Sequence, residues 1–117
     1  MVNAWFEWPK AQGAKQGTAW TLLPATGDLL VFAGLWGPRK DPVSGESHDT
    51  ATVITVEPNE LIAELPHHRM PAILSPADWS IWLDPTASKE DLQGLLRTTP
   101  SDWLEARAGG PQGFSVD

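Results

Sequence analysis

Apolar and polar positions along this chain fall into short runs of strand length, separated by turn-forming residues and by two helix-start signatures. Trp5-Phe6-Glu7-Trp8 has strand character and is closed by Pro9 and the loop-forming residues 11–17. Residues 19–23 and 29–35 are apolar, and Pro24-Ala25-Thr26-Gly27-Asp28 between them has turn chemistry, so the pattern predicts a hairpin. Residues 37–46 predict an exposed loop, and the β-branched Thr50-Ala51-Thr52-Val53-Ile54-Thr55 predicts a further strand. Asn59 is placed to cap a short helix through Glu64. After the polar interruption Pro66-His67-His68-Arg69, the apolar Met70-Pro71-Ala72-Ile73-Leu74 is expected to return to the sheet. Ser75-Pro76-Ala77-Asp78 combines an N-cap Ser with Pro at the first helical position and predicts a helix to about Leu83; Ser88-Lys89-Glu90-Asp91 predicts another through Leu96. Residues 102–108 read as a helix turn or an edge strand, broken by Gly109-Gly110-Pro111. Strands that outnumber short helices and do not alternate with them predict an α+β domain with antiparallel pairing. The aromatic opening strand needs neighbours, which are expected upstream.

Composition narrows the function classes. The chain has 117 residues, 8 Lys and Arg against 15 Asp and Glu, and a net charge of −7, which fits one small domain with a core of its own. An acidic balance argues against broad grip on a phosphate backbone, so any nucleic-acid role must be local. With no cysteine the chain holds no disulfide, thiolate metal site or Cys nucleophile. No apolar run approaches the roughly 18 residues of a membrane span, and Met1-Val2-Asn3-Ala4-Trp5 lacks the character of a signal peptide, so a cytoplasmic protein without membrane contact is expected. Seven Trp beside no Tyr is the unusual feature, since indoles fill cores but also stack on bases or sugars.

The candidate chemistry is sparse. Glu7 lies between aromatics on a strand, so its carboxyl either points to solvent or sits in a semi-buried pocket. His67 and His68 point opposite ways on an extended segment and make a poor metal pair; one of them could serve as an acid or base near neutral pH. Arg69 suits either a phosphate or a structural ion pair. His48 reads as solvated, and the clustered Ser44-Gly45-Glu46-Ser47-His48-Asp49 is no triad, because triads assemble in space. Trp79 and Trp82 share a helical face and read as core, whereas Trp8 and Trp36, at strand ends beside the polar candidates, are the better stacking platforms. No P-loop, dinucleotide glycine pattern, nucleophile elbow or zinc motif occurs, and no metal or cofactor is expected.

Residues 3–8, Phe32-Ala33-Gly34-Leu35-Trp36, residues 53–59, residues 66–74 and Trp82-Leu83-Asp84, in that order and at matching spacing, resemble the SOS response-associated peptidase (SRAP) family of abasic-site-processing proteins. Asn3-Ala4-Trp5-Phe6-Glu7-Trp8 resembles that family's Asp/Asn-Gly-Phe-Tyr-Glu-Trp strand, and Phe32-Ala33-Gly34-Leu35-Trp36 matches Phe-Ala-Gly-Leu-Trp unchanged. Val53-Ile54-Thr55-Val56-Glu57-Pro58-Asn59 is similar to Ile-Leu-Thr-Thr-Glu-Ala-Asn, and Pro66-His67-His68-Arg69-Met70-Pro71-Ala72-Ile73-Leu74 to Ile-His-Asp-Arg-Met-Pro-Val-Ile-Leu. Trp82-Leu83-Asp84 follows as the family's Trp-Leu-Asp does.

The resemblance implies a mixed sheet folded into a pseudo-barrel with short flanking helices, and a cysteine after the initiator Met that attacks the abasic aldehyde to close a thiazolidine. By that resemblance Glu7 and His67 are catalytic, moving protons during sugar opening and Schiff-base chemistry. Trp8, Trp36 and Arg69 contact single-stranded DNA bearing an abasic site. Position 2 is Val2, Val56 stands for a polar residue, His68 for Asp and Ala4 for Gly. The expectation is therefore one partial SRAP domain over residues 1–117, its C-terminal portion. It would lack the nucleophile and the N-terminal part with its basic surface, so it would bind single strands weakly and form no cross-link. A rival expectation is a non-catalytic binding or assembly module that needs a complementary N-terminal segment; a third, a Trp-rich carbohydrate or peptide binder, has no motif in its support.

Overall fold

The computed structural model describes residues 1–9, 17–65, 67 and 69–111. The strands are β1 (Trp5–Glu7), β2 (Trp20–Pro24), β3 (Gly34–Lys40), β4 (Ser47–Val53), β5 (Thr55–Val56), β6 (Met70–Pro71) and β7 (Leu104–Ala108). The helices are α1 (Glu60–Glu64), α2 (Trp79–Trp82) and α3 (Lys89–Gly94), with 3-10 turns at Pro76–Asp78 and Ser101–Trp103. Sheets and short helices make this an α+β fold. The strands form a three-stranded sheet in the order β1-β2-β7 and two antiparallel pairs, β3 with β4 and β5 with β6. Among the described residues no closed barrel forms.

β2 sits at the centre of the three-stranded sheet because it has two antiparallel partners, Trp5↔Leu22 on one side and Leu22↔Ala106 on the other. Its Leu22 is fully buried with Ile62 of α1 and Met70 of β6, and Leu30, Leu65, Ile73 and Leu104 complete that core. A second, smaller cluster of Ala33, Ala72 and Leu74 has Trp79 and Trp82 packed against it; this helical Trp pair, read as core, is only partly buried.

The hairpin expected between residues 19–23 and 29–35 does not form. Its turn is real: Gly27 adopts φ +80°, which suits a residue without a side chain, and its N–H donates to the Pro24 carbonyl at 3.2 Å. But both edges of β2 are already taken, so the chain beyond Leu29 finds distant partners. Leu30 bridges Val2 and Phe32 bridges Ile73. The hairpin lies further on, where β3 and β4 run in register from Gly34↔Val53 to Lys40↔Ser47. The expected loop over residues 37–46 is thus half strand, and only residues 41–46 turn. Pro38 is accommodated because a two-stranded ribbon has a free side for a residue that cannot donate.

The opening strand finds one neighbour inside the chain, since β1 pairs with β2, and lies at the edge of that sheet. Asn59 caps α1 as expected, its Oδ1 accepting from the Ile62 N–H at 3.0 Å, while its amide donates to the Thr99 carbonyl at 2.9 Å. Ser88 caps α3 by accepting from the Asp91 N–H at 3.0 Å. The helix expected after Ser75 is a 3-10 turn running into the single turn of α2, and the Ser75 hydroxyl donates to the Asp78 carboxylate at 3.0 Å instead of accepting a backbone N–H. The ambiguous tail is both things in succession, a 3-10 turn and then the edge strand β7. No helix among the described residues is long and apolar enough to cross a membrane.

Candidate functional site

β1 and the segment after α1 bring two of the sequence-predicted residues together. On a strand, positions two apart share a face, so the indole of Trp5 and the carboxyl of Glu7 lie side by side, and Trp5 Nε1–H donates to Glu7 Oε1 at 3.1 Å. The other carboxylate oxygen, Oε2, faces His67 Nε2 at 3.0 Å. The chain returns here because the His67 backbone N–H donates to the Ile62 carbonyl at 3.3 Å, continuing from the end of α1. Both side chains are mostly covered, Glu7 with 19% and His67 with 24% of its side chain exposed, so the alternative of a solvent-pointing Glu7 does not hold. An ionised carboxylate only accepts; one of its oxygens takes the Trp5 N–H and the other meets the His67 ring nitrogen. A carboxylate and an imidazole held together can pass a proton between them, which is the chemical capacity of this pair.

Trp5 was passed over in the sequence as one aromatic among several. Its ring is fixed edge-on against Phe32, with centroids 5.4 Å apart and an interplanar angle of 85°, which orients the N–H that holds Glu7. The two-residue spacing to Glu7 was the signal available for this role.

Arg69 lies two residues beyond His67. Its Nη2 donates to the Thr55 carbonyl at 2.6 Å, its Nε to the Thr55 hydroxyl at 3.1 Å, and its Nη1 to Glu57 Oε1 at 3.3 Å. The structural ion pair is therefore real. A guanidinium has five N–H groups, so three such bonds leave donors for an anion. Thr55 and Glu57, both in the segment that resembles the family, were not singled out as its partners. Trp8 follows Glu7 directly, is 51% exposed, and leans on Phe6 with ring centroids 6.4 Å apart. Trp36 lies on a different sheet from Glu7. It is not at a strand end but within the β3–β4 ribbon opposite Ala51, and 78% of it is exposed. His48 is exposed and faces Glu46 at 3.6 Å. His68 and Pro66 lie outside the described residues, as does most of the loop expected over residues 11–17. Among the described residues no three His, Asp or Glu converge as a metal site.

The model of the family described as SOS response associated peptidase (SRAP) matches residues 1–109. The chain belongs to this family. The SRAP match takes in Glu7, Trp8, Trp36, His67 and Arg69 alike. Among curated relatives, the abasic site processing protein YoqW of Bacillus subtilis (strain 168) is 34% identical over 106 residues, covering 90% of this chain and 46% of that protein. The abasic site processing protein HMCES of Gallus gallus is 45% identical over 58 residues, covering 48% of this chain and 17% of that protein. A crystal structure of a protein from Bacteroides thetaiotaomicron superposes with a TM-score of 0.77 at 27% identity, over 97% of this chain and 50% of that one. Another, from Bordetella bronchiseptica, gives a TM-score of 0.75 at 27% identity, over 92% of this chain and 51% of that one. This SRAP chain therefore spans about half the length of YoqW and of these two solved neighbours.

Proposed function

We propose that this chain is the C-terminal portion of an SRAP-type abasic-site-processing domain and takes part in a cytoplasmic DNA-damage response by recognising abasic sites in single-stranded DNA. The observation that carries the reading is the Glu7–His67 contact at 3.0 Å, flanked by the exposed Trp8 and by Arg69. In this reading Glu7 and His67 are the proton-moving pair for an opened sugar aldehyde. Trp8 stacks on a base and Arg69 offers its remaining donors to a phosphate, with Trp36 a second stacking surface. The pseudo-barrel of the family belongs to the same proposal. The family's thiazolidine cross-link needs a cysteine, and this chain has none, so neither the cross-link nor peptidase chemistry through a thiol is assigned to these residues.

The test is a single-stranded oligonucleotide with one abasic site, run with the purified protein on matched native and denaturing gels. The expected result is a native shift that weakens as salt rises and vanishes on denaturation, with Trp8→Ala costing about 1–3 kcal/mol of binding, a factor of roughly 5 to 160. A shift that survives denaturation would show another nucleophile at work and overturn the non-covalent reading. No native shift even at low salt would remove DNA binding.

A specific observation favours a second reading, an assembly module that takes a complementary N-terminal segment. The β3–β4 ribbon is exposed along nearly its whole length, and isolated two-stranded ribbons are marginal in water. Mixing the chain with the half of YoqW that it does not match should, on this reading, give a stable heterodimer in which Trp36 emission moves to the blue; two separate species in solution would count against it.

A further inference from the structure

At the opposite end of β2 from the Glu7–His67 pair lies a cleft that the family reading does not use. Glu7 pairs with Trp20, the first residue of β2, whereas the cleft begins at Pro24, the last, so the two sit about 13 Å apart along one strand. The cleft has a volume of about 380 Å³, near the lower end of the range for ligand sites. Its walls are Leu29, Leu74 and the indoles of Trp79 and Trp103, and its lining includes two carboxylates, Asp28 and Asp102.

These walls are fixed. Trp79 Nε1–H donates to the Leu74 carbonyl at 3.0 Å, which sets the plane of its ring. The Ala25 N–H donates to the Trp103 carbonyl at 2.9 Å and ties the turn that carries Asp28 to the 3-10 turn that carries Asp102. Leu29 is more than half exposed and Trp103 is 39% exposed, so the apolar surface is open to a partner. Among the described residues no Lys, Arg or His lines the cleft to offset the two acids.

Aromatic faces and uncompensated carboxylates together attract a cation that carries an apolar body, because the ring quadrupole and the carboxylates favour the same charge. A phosphate backbone would be repelled from the same place. We propose that this cleft docks a basic polypeptide segment: an Arg side chain passes between the indoles toward Asp28 and Asp102, and a neighbouring apolar side chain covers Leu29. The net charge of −7 assists the encounter with such a partner. The single strand and the protein partner would then occupy opposite ends of β2, so both could be bound at once.

The test uses the full chain labelled with ¹⁵N and three probes: the capped peptide acetyl-Leu-Arg-Leu-Arg-amide, its counterpart with citrulline at both Arg positions, and free arginine amide. The readout is the pair of indole N–H resonances of Trp79 and Trp103, assigned by Trp79→Phe and Trp103→Phe. The expected result is saturable movement of both resonances with the Arg peptide, at least fivefold weaker binding for the citrulline peptide and for the Asp28→Asn/Asp102→Asn double variant, and weakening as salt rises. Asn keeps the acceptor that the Thr26 hydroxyl uses at position 28, so the variant should retain its dispersed amide spectrum. Equal binding by the citrulline peptide, equal binding by the double variant, or no movement of the two indoles would overturn the proposal. Free arginine amide binding as tightly as the peptide would overturn the assignment to a polypeptide.

Discussion

The three-stranded sheet and the β3–β4 ribbon use the same antiparallel bonding to opposite ends. In the sheet, β2 places Leu22 beneath Ile62 and Met70, so backbone pairing and apolar burial reinforce each other. In the ribbon, seven paired positions run from Gly34↔Val53 to Lys40↔Ser47, yet Leu35, Trp36 and Val53 remain exposed. Hydrogen bonds fix the shape of both regions, but only burial supplies most of the stability of one of them. The difference bears on function, because Glu7 and His67 are held by the packed region: Glu7 lies on β1 against β2, and His67 follows the helix whose Ile62 is fully buried. A carboxylate and an imidazole can be kept 3.0 Å apart only by elements that do not shift.

The comparison breaks most readily at the core. Ile62→Ala should lower unfolding stability by about 2–5 kcal/mol, as cavities in packed cores do, whereas Trp36→Ala should stay within about 0.5 kcal/mol. Urea denaturation of the two variants checks this, and equal losses would mean that the ribbon is packed in solution. A smaller effect is expected where one side chain joins the helix start to the strand-free segment ahead of β7. Asn59→Ala removes both the cap on Ile62 and the bond to the Thr99 carbonyl, at a cost of about 1–2 kcal/mol. Ser88→Ala, whose cap is exposed, should cost about half a kcal/mol in the same measurement.

The smallest effect should be confined to the ribbon. The N–H groups of Val43 and Ser44 donate to the Asp41 carboxylate and hold its pKa below the ordinary 3.8. A carboxyl depressed on folding contributes above its unfolded value, and that contribution is lost as pH falls through the folded one. Acid titration followed by NMR should show the Val43 and Ser44 amides moving below pH 3.8 while those of β2 stay still. Concerted movement of both sets would show the two regions coupled.

What the sequence disclosed divides along the same line. Local chemistry was legible: Asn59 and Ser88 begin helices, Pro24-Ala25-Thr26-Gly27-Asp28 turns the chain, and residues 5–7 are extended. Partner choice was not. The turn suggested that residues 19–23 pair with 29–35, but no turn residue carries the information that β7 would occupy one edge of β2 and β1 the other. Trp36 was misplaced for a related reason: Gly37-Pro38 reads as a strand end, and it continues as a strand only because β4 is there to pair with it. For the site, the motifs named Glu7 and His67 from 60 residues apart in the chain, while the indole of Trp5 and the carbonyl of Thr55 came to light only through their distances.

The position of β2 between β1 and β7 also sets a timetable. The Thr21 hydroxyl donates to the Gly109 carbonyl across a separation of 88 residues, and the same two stretches pair as strands. Pairings so remote in sequence are closed slowly, since the loop between them must be gathered first. On a ribosome β1 and β2 can meet before β7 exists, so one flank of β2 stays open until Leu104–Ala108 has been made. Through that interval the growing chain presents an unpaired strand edge, and its exposure to chaperones or to other nascent chains depends on how fast Leu104–Ala108 arrives.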